Sequence, residues 1–151
     1  MEKEKQEWDL LKLGLEGEQA ITNELFFKFG RTYEPKQVIL KEGDKGKDVY
    51  LILSGRVVVA EKLASSNQYK VLTTLGPGEI FGEMAMFDDQ PRSATLVAIE
   101  HCKILVLSPE NFERIFRTHP RWALKIVAAL CKRIQNAFEQ IDSYYRGSNK
   151  T

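Results

Sequence analysis

Glu83 and Arg92 stand nine residues apart in the stretch FGEMAMFDDQPRSAT, residues 81–95, and their side chains suit one kind of ligand. The guanidinium of Arg92 is a permanently charged fork of donors that matches the oxygens of an anion. The ionised carboxylate of Glu83 can only accept hydrogen bonds, so its partners must be donors such as hydroxyls. Gly82 lets backbone come close to a ligand, and Glu83-Met84-Ala85-Met86-Phe87 can form one helical turn whose free N–H groups favour negative charge. Ser93 and Ala94 are small residues beside the arginine. An anion flanked by hydroxyls describes a sugar phosphate. A simpler account competes, in which Arg92 pairs with Asp88 or Asp89 in a surface loop and Glu83 is an acid favoured at a helix start.

The elements that must position this stretch follow from the hydrophobic pattern. Residues 4–13 and 18–29 place apolar side chains at three- and four-residue intervals, predicting two short amphipathic helices, with Gly30 where the second would end. From Arg31 the pattern changes to short β-rich runs, QVILKE, DVYLILS, RVVVAEKL, YKVLTTL, ATLVAIE and CKILVLS. Turn signals such as Gly43-Asp44-Lys45-Gly46, Ser54-Gly55, Ser65-Ser66-Asn67 and Gly76-Pro77-Gly78 separate them. Six to eight such strands with no helices between them predict an antiparallel sandwich or barrel, mainly β with flanking helices. Ser108-Pro109-Glu110 is a capping hydroxyl, a proline at the first helical position and an early acid, so a helix is expected over 109–117. A longer one is expected from Arg121 to Tyr145. In it Ala123, Val127, Leu130, Ile134, Ala137, Ile141 and Tyr144 form a heptad seam, to be buried against the β-domain or paired with a second subunit.

Composition bounds the function. A chain of 151 residues, 43% hydrophobic and 28% charged, fits one domain, here divided as 1–30, 31–107 and 108–145. Net charge is +1 with the basic residues spread along the chain, which argues against a direct nucleic-acid role. The opening MEKEKQEW lacks the apolar centre of a secretory signal, and no stretch approaches the length of a spanning helix. A cytoplasmic protein without membrane contact is expected. His101 and His119 are the only histidines, too few and too far apart for a metal centre, and no nucleophile has a histidine at a useful spacing, so an enzyme is not expected. Cys102 and Cys131, with no C-x-x-C spacing, are expected to be buried, reduced thiols.

The stretch 81–95 resembles the phosphate-binding cassette of cyclic nucleotide-binding domains, found in bacterial catabolite activators, kinase regulatory subunits and gated channels. Its F-G-E-(L/M)-A-(L/M) opening, variable loop and P-R-(S/A/T)-A-T close are all met, with the Glu-to-Arg spacing of the kinase and channel form. The likeness extends over residues 26–145, through YEPKQVILKEGDKGKDVYLILSGRVVV and GPGEIFGE.

The resemblance implies a jelly roll and a cyclic nucleotide ligand, cAMP before cGMP, with no other cofactor. It implies that Glu83 accepts the ribose 2′-hydroxyl and Arg92 pairs with the cyclic phosphate. The N–H groups of Ala85 and Ala94 and the Ser93 hydroxyl would complete the cradle, beside Phe81, Gly82 and Met84. Val71 and Leu72 would line the base slot, and the segment KRIQNAFEQ at 132–140 would cover it, bringing Arg133 within reach and Phe138 into a stack on the purine. Where the activators place hydroxyl residues over adenine, this chain has Ala137 and Phe138. In those activators the last helix leads into a DNA-reading helix-turn-helix. Only RGSNKT follows it here, so the expectation is signalling through a partner, a homodimer through 121–145, or a segment of a longer protein.

Overall fold

The computed structural model describes residues 15–64 and 66–148. Helix α1 spans Leu15–Phe29, and the first predicted helix, 4–13, lies outside the described residues. Eight strands follow: β1 (Gly30–Tyr33), β2 (Val38–Leu40), β3 (Val49–Ser54), β4 (Val57–Lys62), β5 (Tyr69–Leu75), β6 (Ile80–Phe81), β7 (Thr95–Ala98) and β8 (Cys102–Leu107). A 3₁₀ turn, Glu83–Met86, separates β6 from β7. Helices α2 (Pro109–Thr118) and α3 (Pro120–Ser148) close the chain. All pairings are antiparallel, in two four-stranded sheets ordered β1-β8-β3-β6 and β2-β7-β4-β5.

The near-continuous apolar runs of β3 and β8 have a physical cause, because their sheet is covered on both faces. Tyr50, Ile52, Ile104 and Val106 point to the other sheet, where they meet Val57, Leu96 and Ala98. Val49, Leu51, Leu105 and Leu107 point the other way, against Leu25, Ile115, Trp122 and Ile126 of the helices. The expected helix start at Ser108 is present, its hydroxyl accepting from Asn111 N–H at 3.2 Å. Strands β1 and β6 escape a pattern reading, since GRTY and IF are too short to show a period.

Helix α3 departs from its expected packing. Trp122, Ala123, Ile126 and Ala129 are buried, while Val127, Ile134, Ile141 and Tyr144 of the predicted seam are 42%, 57%, 54% and 74% exposed. Of that seam, then, Ala123 is buried and Leu130 partly so, and the β-domain leaves the rest uncovered. The helix presents instead an exposed stripe at Leu124, Val127, Cys131, Ile134, Phe138, Ile141 and Tyr145, spaced by threes and fours. Cys131 thus corrects the expectation of two buried thiols. Only Cys102 is buried, and burial pushes its thiol up from the ordinary range.

Candidate functional site

Strand β6 delivers the cassette. Phe81, 3% exposed, pairs with Tyr50 of β3 and stacks on its ring at 4.9 Å, with 3° between the planes. Gly82 then turns the chain with φ of 83°, where a Cβ would lie 2.8 Å from the Asp48 carbonyl oxygen and 3.0 Å from Arg92 Nη1. A side chain there would displace backbone or the arginine, so glycine is required on two grounds. The turn that follows puts Glu83 on the cavity wall and buries Ala85. The Ala85 N–H gives a long, 3.3 Å bond to the Gly82 carbonyl, so it belongs to the turn.

Arg92 is 6% exposed, which is unusual for a permanent charge. Its backbone is pinned to the Gly43-Asp44 turn, with Arg92 N–H donating to Asp44 O and Gly43 N–H donating to Arg92 O, each at 2.8 Å. The guanidinium lies over the Tyr50 ring, 6.0 Å from its centre, and donates from Nη1 to Gly82 O at 3.1 Å and from Nη2 to Asp48 O at 2.8 Å. Burial, and then the charge of Asp48, raises the Tyr50 phenol above its ordinary range and keeps it neutral. Arg92 Nε is buried with no hydrogen-bond partner. The acids once rivals for Arg92 are elsewhere: Asp89 pairs with Lys47 at 3.0 Å, and Asp88 Oδ1 accepts from Gln90 N–H at 3.1 Å. Among the described residues no carboxylate pairs with the arginine, so the competing surface-pair account fails and the buried cation lines the cavity.

Across the opening, α3 supplies Arg133. Its Nη1 lies against the Glu83 carboxylate and also donates to Ile80 O at 3.2 Å, while the Glu83 side chain is only 15% exposed. The resemblance puts Arg133 within reach of the base; its partner is instead the acid assigned to the ribose.

These residues share one cavity of about 970 Å³. Phe81, Gly82, Glu83, Met84, Ala85, Arg92, Ser93, Ala94 and Arg133 all line it. Val71 and Leu72 do not; β5 contributes Thr73, Thr74 and Leu75, and Val59 and Leu40 line the cavity from the same sheet. Phe138 is also absent from the lining, being 67% exposed on the outer stripe of α3. That helix offers Asn136, Ala137, Glu139, Gln140 and Ser143 instead. Residues at 136 and 140 could have been found by projecting the helix from Arg133, since they lie on the same face. Among the described residues no group of histidine, cysteine and acid side chains could hold a metal, and no helix is long and apolar enough to cross a membrane.

A jelly roll with a glycine-led turn, a buried cation and an acceptor carboxylate in one cavity defines a small-anion-binding β-domain. Residues 30–119 match the family described as cyclic nucleotide-binding domain, and the chain belongs to that regulatory family. It is 36% identical over 112 residues to the cyclic AMP receptor protein of Thermus thermophilus, covering 74% of this chain and 51% of that protein. To the cAMP-dependent protein kinase regulatory subunit of Dictyostelium discoideum it is 33% identical over 85 residues, 55% of this chain and 26% of the subunit. The crystal structure of Thermus thermophilus catabolite activator protein superposes with a TM-score of 0.62 at 33% identity, covering 82% of this chain and 58% of that one. The chain spans about half the length, or less, of these curated relatives.

Proposed function

We propose that this domain binds a cyclic nucleoside monophosphate, cAMP first and cGMP as the alternative, as a sensory module and not as an enzyme. The observation that carries the reading is Arg92, a buried guanidinium that, among the described residues, has an unpartnered Nε and no acid paired with it. A cyclic phosphate supplies the missing charge and acceptors, and Glu83 accepts the 2′-hydroxyl. Ser93 and Ala94 complete the cradle, and Leu40, Val59 and Leu75 form the base slot that Val71 was expected to provide. The names of the relatives, a cyclic AMP receptor and a cAMP-dependent kinase subunit, support adenine.

Occupancy is relayed through Arg133. Arg133 ties α3 to Glu83, the group the ribose needs, so ligand and helix meet at one carboxylate. The nucleotide shifts α3 only by its difference in affinity for the two helix positions. The output passes to a partner, to further sequence, or to a second copy through the exposed α3 stripe.

Calorimetric titration with cAMP and cGMP, beside Arg92→Ala, tests the reading. Wild type binds at micromolar concentration, and the variant loses roughly 30- to several-thousand-fold in affinity. Millimolar or no binding of both nucleotides by wild type removes the reading in favour of a docking module of the same fold.

A further inference from the structure

A second cavity, of about 420 Å³, lies between α1, the sheet built by β3 and β8, and the start of α3. Among the described residues it shares no lining with the cavity that holds Arg92. Its floor is apolar: Leu51 and Trp122 are buried there, with Phe26 and Leu53 half-buried beside them. The register of β3 against β8 steps from Ile52 opposite Ile104 to Ser54 opposite Lys103, so Leu53 is the extra residue of a bulge at the cavity. The Trp122 indole donates to Thr22 Oγ1 at 2.8 Å, which ties α3 to α1.

The rim over this floor is polar and basic. Lys103 Nζ lies 5.7 Å from the centre of the Phe26 ring, so its ammonium is held against an aromatic face at the edge of the cavity. Lys125 of α3 lines the same cavity. Asn23 Oδ1 accepts from Gln19 Nε2 at 3.0 Å, which leaves the Asn23 N–H groups to donate to a ligand. Among the described residues the lining includes no acid, whereas Glu79, Glu83, Asp88 and Glu139 line the first cavity.

We infer that this second cavity binds a monocarboxylate with an alkyl body, its chain on Phe26, Leu51, Leu53 and Trp122 and its carboxylate paired with Lys103. The assignment is independent of the nucleotide-binding reading. A small inorganic anion gains nothing from the apolar floor, and a neutral ligand of the same shape leaves the ammonium without a counter-charge. Each methylene buried is worth up to about fourfold in affinity, so the chain supplies the binding and Lys103 the selection.

The test uses octanoate as the probe and octanamide as its neutral counterpart, each titrated into isotope-labelled protein while NMR follows the indole N–H resonance of Trp122. The chain has one other tryptophan, Trp8, and Trp8→Phe assigns the signal. Octanoate is expected to shift the Trp122 resonance saturably, with a Kd on the order of 1 mM for so small a ligand. Octanamide should bind about 3- to 5-fold more weakly, the upper range for an exposed ion pair, and added salt should weaken octanoate alone. Lys103 is exposed on β8, so substituting it leaves the core intact. Lys103→Gln should bring the two affinities within about 1.5-fold of each other, and Lys103→Arg should keep the preference. Absence of a saturable shift with octanoate overturns the site. Equal affinities in wild type, or a preference that survives Lys103→Gln, overturns the carboxylate assignment.

Discussion

Arg92→Met separates what the arginine does for the fold from what it does for a ligand. Methionine fills much of the same space and leaves no charge, so the comparison is free of a large cavity. The guanidinium makes two hydrogen bonds to carbonyls, at 3.1 and 2.8 Å. Each contributes about 1.5–3 kcal/mol as a charge-assisted bond. Against them stands the cost of holding a cation at 6% exposure, several kcal/mol for an ion without a counter-charge. The two nearly cancel, so the stability of the empty variant should lie within about 2 kcal/mol of wild type, or roughly 4–8 °C in melting temperature.

With a phosphate bound the balance differs, because the cation is now paired and its removal costs about 2–5 kcal/mol of binding. Thermal melts at one fixed cAMP concentration read both quantities. At 100 times the wild-type Kd, ligand should stabilise wild type by about 2.7 kcal/mol, raising its melting temperature by roughly 5–11 °C. A 30-fold weaker variant should gain less than about 1 kcal/mol, or under about 4 °C. A variant that melts well below wild type without ligand would make Arg92 a structural clamp on the Gly82 and Asp48 carbonyls. A variant that keeps the full ligand-induced shift would refute the phosphate role.

Gly82→Ala forces a methyl against the Asp48 carbonyl at 2.8 Å with φ at 83°, so a loss of about 1–3 kcal/mol in denaturant titration and weaker nucleotide binding are expected. Lys36, in the Glu34-Pro35-Lys36-Gln37 turn, holds φ of 74°, a value glycine adopts freely, and Lys36→Gly should raise stability, by about 1 kcal/mol at most, read as a higher urea midpoint. Cys102 is fully buried and its raised thiol holds less thiolate at a given pH, so peptide mapping after brief alkylation at pH 7 to 8 should find it unmodified until denaturant is added. If α3 pairs with a second copy through its exposed stripe, sedimentation should show a dimer for wild type and a monomer for Ile134→Asp; a wild type monomeric at every concentration removes the pairing.

The cassette could be read from the sequence because its chemistry is local. Glycine, acceptor acid, short turn and arginine lie within residues 82–92, and the flanking β-runs are set by apolar patterning and turn residues that act over a few positions. The sheet order and the burial of β3 and β8 on both faces needed long-range pairing, which a strand's own residues do not specify.

What tertiary structure alone decided is how the site is held and which way α3 faces it. Arg92 is oriented by the Asp48 carbonyl 44 positions away, and Glu83 is met by an arginine 50 positions away. The heptad reading of α3 fitted more than one face, since apolar residues occur on both sides of it. Only the anchoring of Trp122, Ala123 and Ile126 against the sheet sets the helix rotation. That rotation turns Phe138 outwards and brings Asn136 and Gln140 to the cavity, because one residue step on a helix moves a side chain by about 100°.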